Sequence, residues 1–187
     1  MTINTKLINF FSGPNSGKTA TMSGVFSHLK KYNLKVEISH EVAKPYVFEK
    51  RFDALNCQPL ISGEQIWHIE RLMGQVDIIL TDAPILQGIV YGKNATGTKY
   101  PDSFYQFLID QHKKFGGDNF FIRRGEVYDT TGRTQSFDEA IAVDKQILDL
   151  LDSLEETYSV EDLNWGTAEY ITSRILRSIK WRQDLKF

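Results

Sequence analysis

Near the amino terminus, Ser12-Gly13-Pro14-Asn15-Ser16-Gly17-Lys18-Thr19 sets two glycines, a cation and a hydroxyl in an order suited to holding a polyphosphate. Successive N–H groups of a short glycine loop can turn inward onto anionic oxygens. Gly13 and Gly17 admit backbone shapes and close approach that a Cβ would block. Lys18 can reach the β- and γ-phosphates of a nucleotide such as ATP, and the Thr19 hydroxyl is placed to ligate Mg²⁺. A helix opening near Gly17 would add the positive end of its dipole. The usual pattern has glycine where this chain has Ser12, but Gly-Lys-Thr is intact.

The partner of such a loop is an acid at the end of a neighbouring strand, holding the metal through water. Asp82, directly after Ile78-Ile79-Leu80-Thr81, fits that place, whereas Asp77 sits on the entry side of the same run and reads as a solvated cap. Glu41 follows the alternating stretch Lys35–Ser39 and faces the same edge. It could accept the proton of an acceptor hydroxyl, or simply satisfy the dipole of a helix start. Lys44 and Arg51 come next and could hold an anionic acceptor, while His40 reads as an ordinary edge histidine. Tyr46, Phe48 and Trp67 could stack on a base, although their helical spacing favours the core. Farther on, residues 123–135 are polar and carry Arg123, Arg124 and Arg133 with glycines at 125 and 132. Arginines on a closing segment neutralise the charge that phosphoryl transfer spreads over equatorial oxygens. Arg123 and Arg133 are the first candidates and Arg124 the third; a solvated basic loop is the other reading.

These side chains can meet only if strands and helices alternate along the chain. Lys6–Phe11 is a short apolar run ended by Ser-Gly-Pro, and Met22, Val25, Phe26 and Leu29 then recur at helical spacing. With Lys35–Ser39 they make a strand–helix–strand unit, which implies a parallel sheet. Val42–Phe52 reads as a helix with Pro45 in its first turn, and Ser62 opens another that ends at Gly74. Val76–Thr81 and Asn119–Ile122 read as strands, Gly92–Lys99 as a loop, and Asp102–Lys114 as a helix stopped by Gly116-Gly117. Ser136 with Glu139 forms a capping box, Tyr158–Val160 a short fifth strand, and Tyr170, Ile171, Ile175 and Ile179 mark a last helix. The expectation is an α/β/α three-layer sandwich on a mainly parallel five-stranded sheet, one domain over residues 1–187 with a lid at about 123–135.

Composition narrows the class. At 187 residues, 41% hydrophobic and 25% charged, the chain can bury a substantial core, which excludes disordered, collagen-like and disulfide-stapled classes. The lone Cys57 cannot form an internal bridge, and a reducing compartment is expected. The start of the chain has no signal-peptide pattern, and no apolar run approaches a membrane span, so a soluble cytoplasmic protein is expected. A net charge of -2 argues against indiscriminate nucleic-acid binding but leaves a local phosphate site open.

Gly13–Thr19, Glu41-Val42-Ala43-Lys44, Thr81-Asp82-Ala83-Pro84 and Gly132-Arg133-Thr134-Gln135 together resemble a group of small P-loop kinases of tailed bacteriophages, distantly similar to thymidylate kinases and to the ribosylnicotinamide-kinase domain. The resemblance runs from the first strand to the helix after Gln135. It implies a P-loop fold, ATP and Mg²⁺ as cofactors, and Lys18, Thr19 and Asp82 at the donor site. Glu41 would then stand on the acceptor side, and Arg123 and Arg133 in a lid. Some members of that group look like DNA kinases acting on 5-hydroxymethyluracil in the viral genome, a step towards thymidine hypermodification. The implied acceptor is thus modified phage DNA, with a free nucleoside or nucleotide, or an ATP-binding switch without an acceptor, as alternatives. The implied location is the host cytoplasm.

Overall fold

A computed structural model describes residues 4–95, 99–125 and 136–180. Five strands form its sheet: β1 (Lys6–Phe11), β2 (Val36–Ser39), β3 (Ile78–Thr81), β4 (Asp118–Arg123) and β5 (Tyr158–Asp162). Their order is β2-β3-β1-β4-β5 and every pairing is parallel. Successive side chains of a strand point to opposite faces, so a strand covered on both sides must be apolar throughout. β1 obeys this rule. Leu7 and Phe11 enter one core cluster, Ile8 and Phe10 the other.

Helices cover both faces. α1 (Lys18–Lys30) and the last helix, α8 (Thr167–Lys180), pack on one side through Met22, Val25, Leu29, Ile171 and Ile175. The other side is covered by α4 (Gln58–Glu70), α5 (Gln87–Asn94), α6 (Asp102–Phe115) and α7 (Phe137–Ser153). Two further helices, α2 (Ala43–Phe48) and α3 (Phe52–Leu55), follow β2. The three-layer α/β architecture expected from the sequence is therefore present, with the sheet wholly parallel rather than mainly so.

Several element bounds differ from expectation, each for a local reason. The helix read over Val42–Phe52 is split, because Lys50 adopts a left-handed φ of 56° that no helix interior tolerates. α4 opens at Gln58, ahead of Ser62, with Pro59 in its first turn where the missing N–H costs no hydrogen bond. β3 begins only at Ile78, since the Asp77 carboxylate accepts the Lys35 N–H at 2.8 Å and so fills the cap role read for it. α5 was unforeseen and takes up the start of the expected Gly92–Lys99 loop. Its two glycines weaken the helical signal, and the burial of Ile85, Leu86, Ile89 and Val90 supplies the missing stability. The capping box holds: Ser136 Oγ accepts the Glu139 N–H, and the Glu139 carboxylate accepts the Ser136 N–H at 2.7 Å. Residues 126–135, with Gly132 and Arg133, lie outside the described residues.

Candidate active site at the carboxyl edge of the sheet

β1 ends in the middle of the sheet, so the loop that follows it opens at the carboxyl edge between β3 and β4. That loop turns sharply. Asn15 and Gly17 both take left-handed φ, 57° and 87°, which in an asparagine is uncommon and in glycine is free. A Cβ on Gly17 would lie 2.7 Å from the methyls of Leu163, a 40% exposed side chain that can turn aside, so it is the left-handed φ that calls for glycine here. As N-cap of α1, Gly17 offers no side chain to the helix, and the first turn of α1 holds no acid. The N–H groups of that turn therefore present a positive end to a ligand rather than to a capping oxygen.

The candidate side chains converge on this turn. Lys18 folds back, its Nζ donating to the Ser12 carbonyl at 2.8 Å and the Gly13 carbonyl at 2.6 Å. The Ser12 carbonyl also accepts from Gln87 Nε2 at 2.7 Å. Thr19 Oγ1 donates to Asp82 Oδ2 at 2.5 Å. Asp82 is 4% exposed, and its Oδ1, like the buried Ser16 Oγ, has no hydrogen-bond partner among the described residues. A buried carboxylate oxygen without a partner is costly unless a cation completes it. The hydroxyl and carboxylate oxygens are hard donors of the kind Mg²⁺ takes, with its other positions left to phosphate and water. Thr19 and Asp82 are thus residues that could hold Mg²⁺.

From the loop a cavity of about 480 Å³ runs between α2–α4 and the segment leading into α5. Pro14 through Thr19 and Asp82 line one end, Glu41 and Lys44 line it after β2, and the far walls mix Val47, Leu55 and Ile61 with the amides of Asn56 and Gln58. Gln65 stands beneath. Its Nε2 donates to Ser39 Oγ at 2.9 Å and its Oε1 accepts from the Val42 N–H at 3.2 Å, so one buried amide joins the end of β2 to the approach of α2.

The arginines part company. Arg123 stands opposite Asp162 in the β4–β5 register and pairs with it at 2.6 Å on an exposed surface, away from the cavity lining. Arg124 is the one laid against the loop. Its Nε donates to Asp144 Oδ2 at 2.6 Å, Nη1 to the Pro14 carbonyl at 3.2 Å and Nη2 to the Ala140 carbonyl at 3.1 Å. Arg133 falls outside the described residues. The aromatic residues after β2 do not follow their helical spacing into the core. Phe48 is 63% and Trp67 57% exposed, and the Arg71 guanidinium covers the Trp67 ring at 4.9 Å. Tyr46 donates to Glu64 at 2.9 Å, which raises the pKa of its phenol, and lies under the Arg51 guanidinium at 5.2 Å. His40 is exposed.

Sequence reasoning missed Gln65, Gln87 and Asp144. A signal existed for two of them: Gln65 and Asp144 are polar residues inside the apolar stripes Ser62–Ile66–Ile69 and Ala140–Val143–Ile147. Gln87 had no such mark, because its helix was not foreseen.

A scan of protein-family models finds no match for the chain, and a search of curated proteins finds none either. Among solved structures the chain is similar to NadR protein in complex with NAD and AMP-PNP, with a TM-score of 0.65 and 14% identity over 93% of this chain. It covers 49% of that protein, about half its length. It is also similar to thymidylate kinase from Ehrlichia chaffeensis, with a TM-score of 0.62 and 16% identity over 94% of this chain and 99% of the other. At such identities the likeness shows the fold alone, a parallel α/β sandwich.

Proposed function

We propose that this protein is an ATP- and Mg²⁺-dependent phosphotransferase that moves the γ-phosphate to a nucleoside-type acceptor. The observation that carries the reading is one continuous cavity with Lys18 and the Thr19–Asp82 pair at one end and an apolar, amide-bearing pocket at the other. The bound metal would neutralise charge on the β- and γ-oxygens. Lys18 exchanges the Ser12 and Gly13 carbonyls for those oxygens, and the first turn of α1 receives the remaining phosphate charge. Glu41 takes the proton of the acceptor hydroxyl as its oxygen bonds to the γ-phosphorus and the bond to the β-bridging oxygen breaks, releasing ADP. Arg133 would serve as a lid cation in this reading and Arg124 as the cation already at the loop, whereas Arg123 would have to leave Asp162 to join them. The likeness to NadR, whose structure holds AMP-PNP, an ATP analogue, and to a thymidylate kinase favours nucleotide chemistry.

The finer acceptor we propose is the hydroxymethyl group of 5-hydroxymethyluracil in phage DNA, on the strength of the four motifs around Gly13–Thr19, Glu41, Asp82 and Arg133. A cavity of single-ligand size would take such a base turned out of the stack. That same size favours a second reading, a kinase of free nucleosides or nucleoside monophosphates. Incubation with γ-labelled ATP and either 5-hydroxymethyluracil-containing duplex DNA or a panel of free nucleosides and nucleotides separates the two. Label on the duplex is expected; label on a free nucleotide alone would replace the first acceptor with the second. Lys18→Ala should lower transfer at least about a hundredfold, and unchanged transfer would overturn the kinase reading itself.

A further inference from the structure

Asp144 is the group on which the phosphate loop is built. It stands on α7, with its side chain 15% exposed, and both carboxylate oxygens are engaged. Oδ1 accepts the Gly13 N–H at 2.5 Å and the Ser12 hydroxyl at 2.9 Å, and Oδ2 accepts Arg124 Nε at 2.6 Å. No space is left between loop and helix. A Cβ on Gly13 would lie 2.7 Å from the Ala140 carbonyl oxygen, 2.9 Å from Asp144 Oδ1 and 3.1 Å from Arg124 Nη2. The departure from the common loop pattern thus has a partner: the hydroxyl that replaces glycine at position 12 is bonded to this carboxylate.

We infer that Asp144 is a positioning residue for the donor site, acting through the Ser12–Gly13 peptides on Lys18 and through Arg124 on Pro14; the inference rests on the donor reading above. The links are continuous. Asp144 holds the N–H of Gly13 and the side chain of Ser12, the carbonyls of those two residues hold Lys18 Nζ, and Arg124 carries the next carbonyl of the loop. A carboxylate so close to a loop that receives a polyanion would repel the ligand if left alone, and the Arg124 guanidinium cancels that charge where it stands. The two side chains therefore act as a unit. Losing the arginine leaves an uncompensated anion beside the phosphates, whereas losing both leaves none.

The test is calorimetric binding of Mg²⁺ and AMP-PNP to the full chain, with ligand-free melting recorded in parallel. Asp144→Asn should weaken binding about tenfold, because its amide turns an N–H toward Arg124. Arg124→Gln should weaken it more. The double variant should bind no worse than Arg124→Gln alone, whereas a purely structural pair would show its coupling in the ligand-free melting and leave the affinity of the folded protein unchanged. Ser12→Ala removes only one hydroxyl and should weaken binding a few-fold, which keeps the inference testable if Asp144→Asn fails to fold. Wild-type affinity in Asp144→Asn, or losses that multiply in the double variant, would overturn the positioning role alone. Failure of the parent protein to bind AMP-PNP would instead overturn the donor reading on which it rests.

Discussion

Asp82 answers to function and to stability in opposite directions. Its carboxylate is buried, one oxygen accepts from Thr19 and the other has no partner among the described residues, so a cation beside it would complete its polar contacts. Asp82→Asn removes the charge, keeps an oxygen for the Thr19 hydroxyl and is expected to leave the ligand-free melting temperature equal or higher. The same change should abolish the gain in nucleotide affinity that Mg²⁺ brings. Melting and Mg²⁺-dependent binding of one variant check both halves, and a large fall in ligand-free stability would contradict the argument. Asp82 was legible because it ends the most apolar run of the chain, just where a parallel sheet exposes its carboxyl edge. The division of labour between Arg123 and Arg124 was not. Neighbours at a strand end diverge, and the β4–β5 register assigned Arg123 to Asp162 while Arg124 met a carboxylate 20 residues away. Exposed pairs such as Arg123–Asp162 contribute little, so Arg123→Ala should change stability by less than about 1 kcal/mol in a denaturant melt.

α7 shows how an element can be foreseen in outline while its purpose stays hidden. The Ser136–Glu139 capping box and the apolar stripe predict its start and its buried face, and both are present. The value of holding that helix in place appears only once Asp144 is seen under the phosphate loop. Ser136→Ala should cost about 1 kcal/mol of stability, read as a shift of the denaturant midpoint without a change of slope. The Ser136 backbone N–H, then its hydroxyl, hold the Glu139 carboxyl below its ordinary pKa. A depressed carboxylate stabilises above the unfolded-state pKa and loses that contribution as pH falls through the folded one. The box should therefore loosen only in acid, and Glu139→Gln should flatten the acid end of the stability profile by lowering stability slightly at neutral pH while leaving it nearly unchanged in acid. The elements that were misread share a different cause. Lys50 breaks the helix after β2 by a single left-handed residue, and α5 forms from a glycine-bearing stretch because its neighbours bury it. Both outcomes are decided by tertiary contacts, which local period does not report.

Across the whole molecule, a net charge of -2 coexists with the proposed polyphosphate site, and the placement of the cations reconciles the two. Lys18 and Lys44 line the cavity and Arg124 lies against the loop, while Arg123 spends its charge on Asp162. The attraction for phosphate is thus local, made of α1's open first turn and a few fixed cations, and it does not extend over the surface. Two consequences separate this arrangement from general polyanion binding. A ligand that binds only the folded chain raises its stability by about 2.7 kcal/mol at a hundredfold excess over Kd, and for a chain of this size each kcal/mol moves the melting temperature by roughly 2–4 °C. Mg²⁺ with AMP-PNP should therefore raise the melting temperature by about 5–10 °C, and inorganic polyphosphate without metal by much less, since it leaves the partnerless Asp82 oxygen uncompleted. Moderate salt should weaken that shift only modestly, because contacts made by buried groups and backbone N–H are screened less than exposed charges. Differential scanning fluorimetry over a salt series, with Lys18→Ala beside the parent, measures all of this. A shift that survives in Lys18→Ala, or that vanishes steeply with salt, would place the anion on the surface and remove the loop as its site.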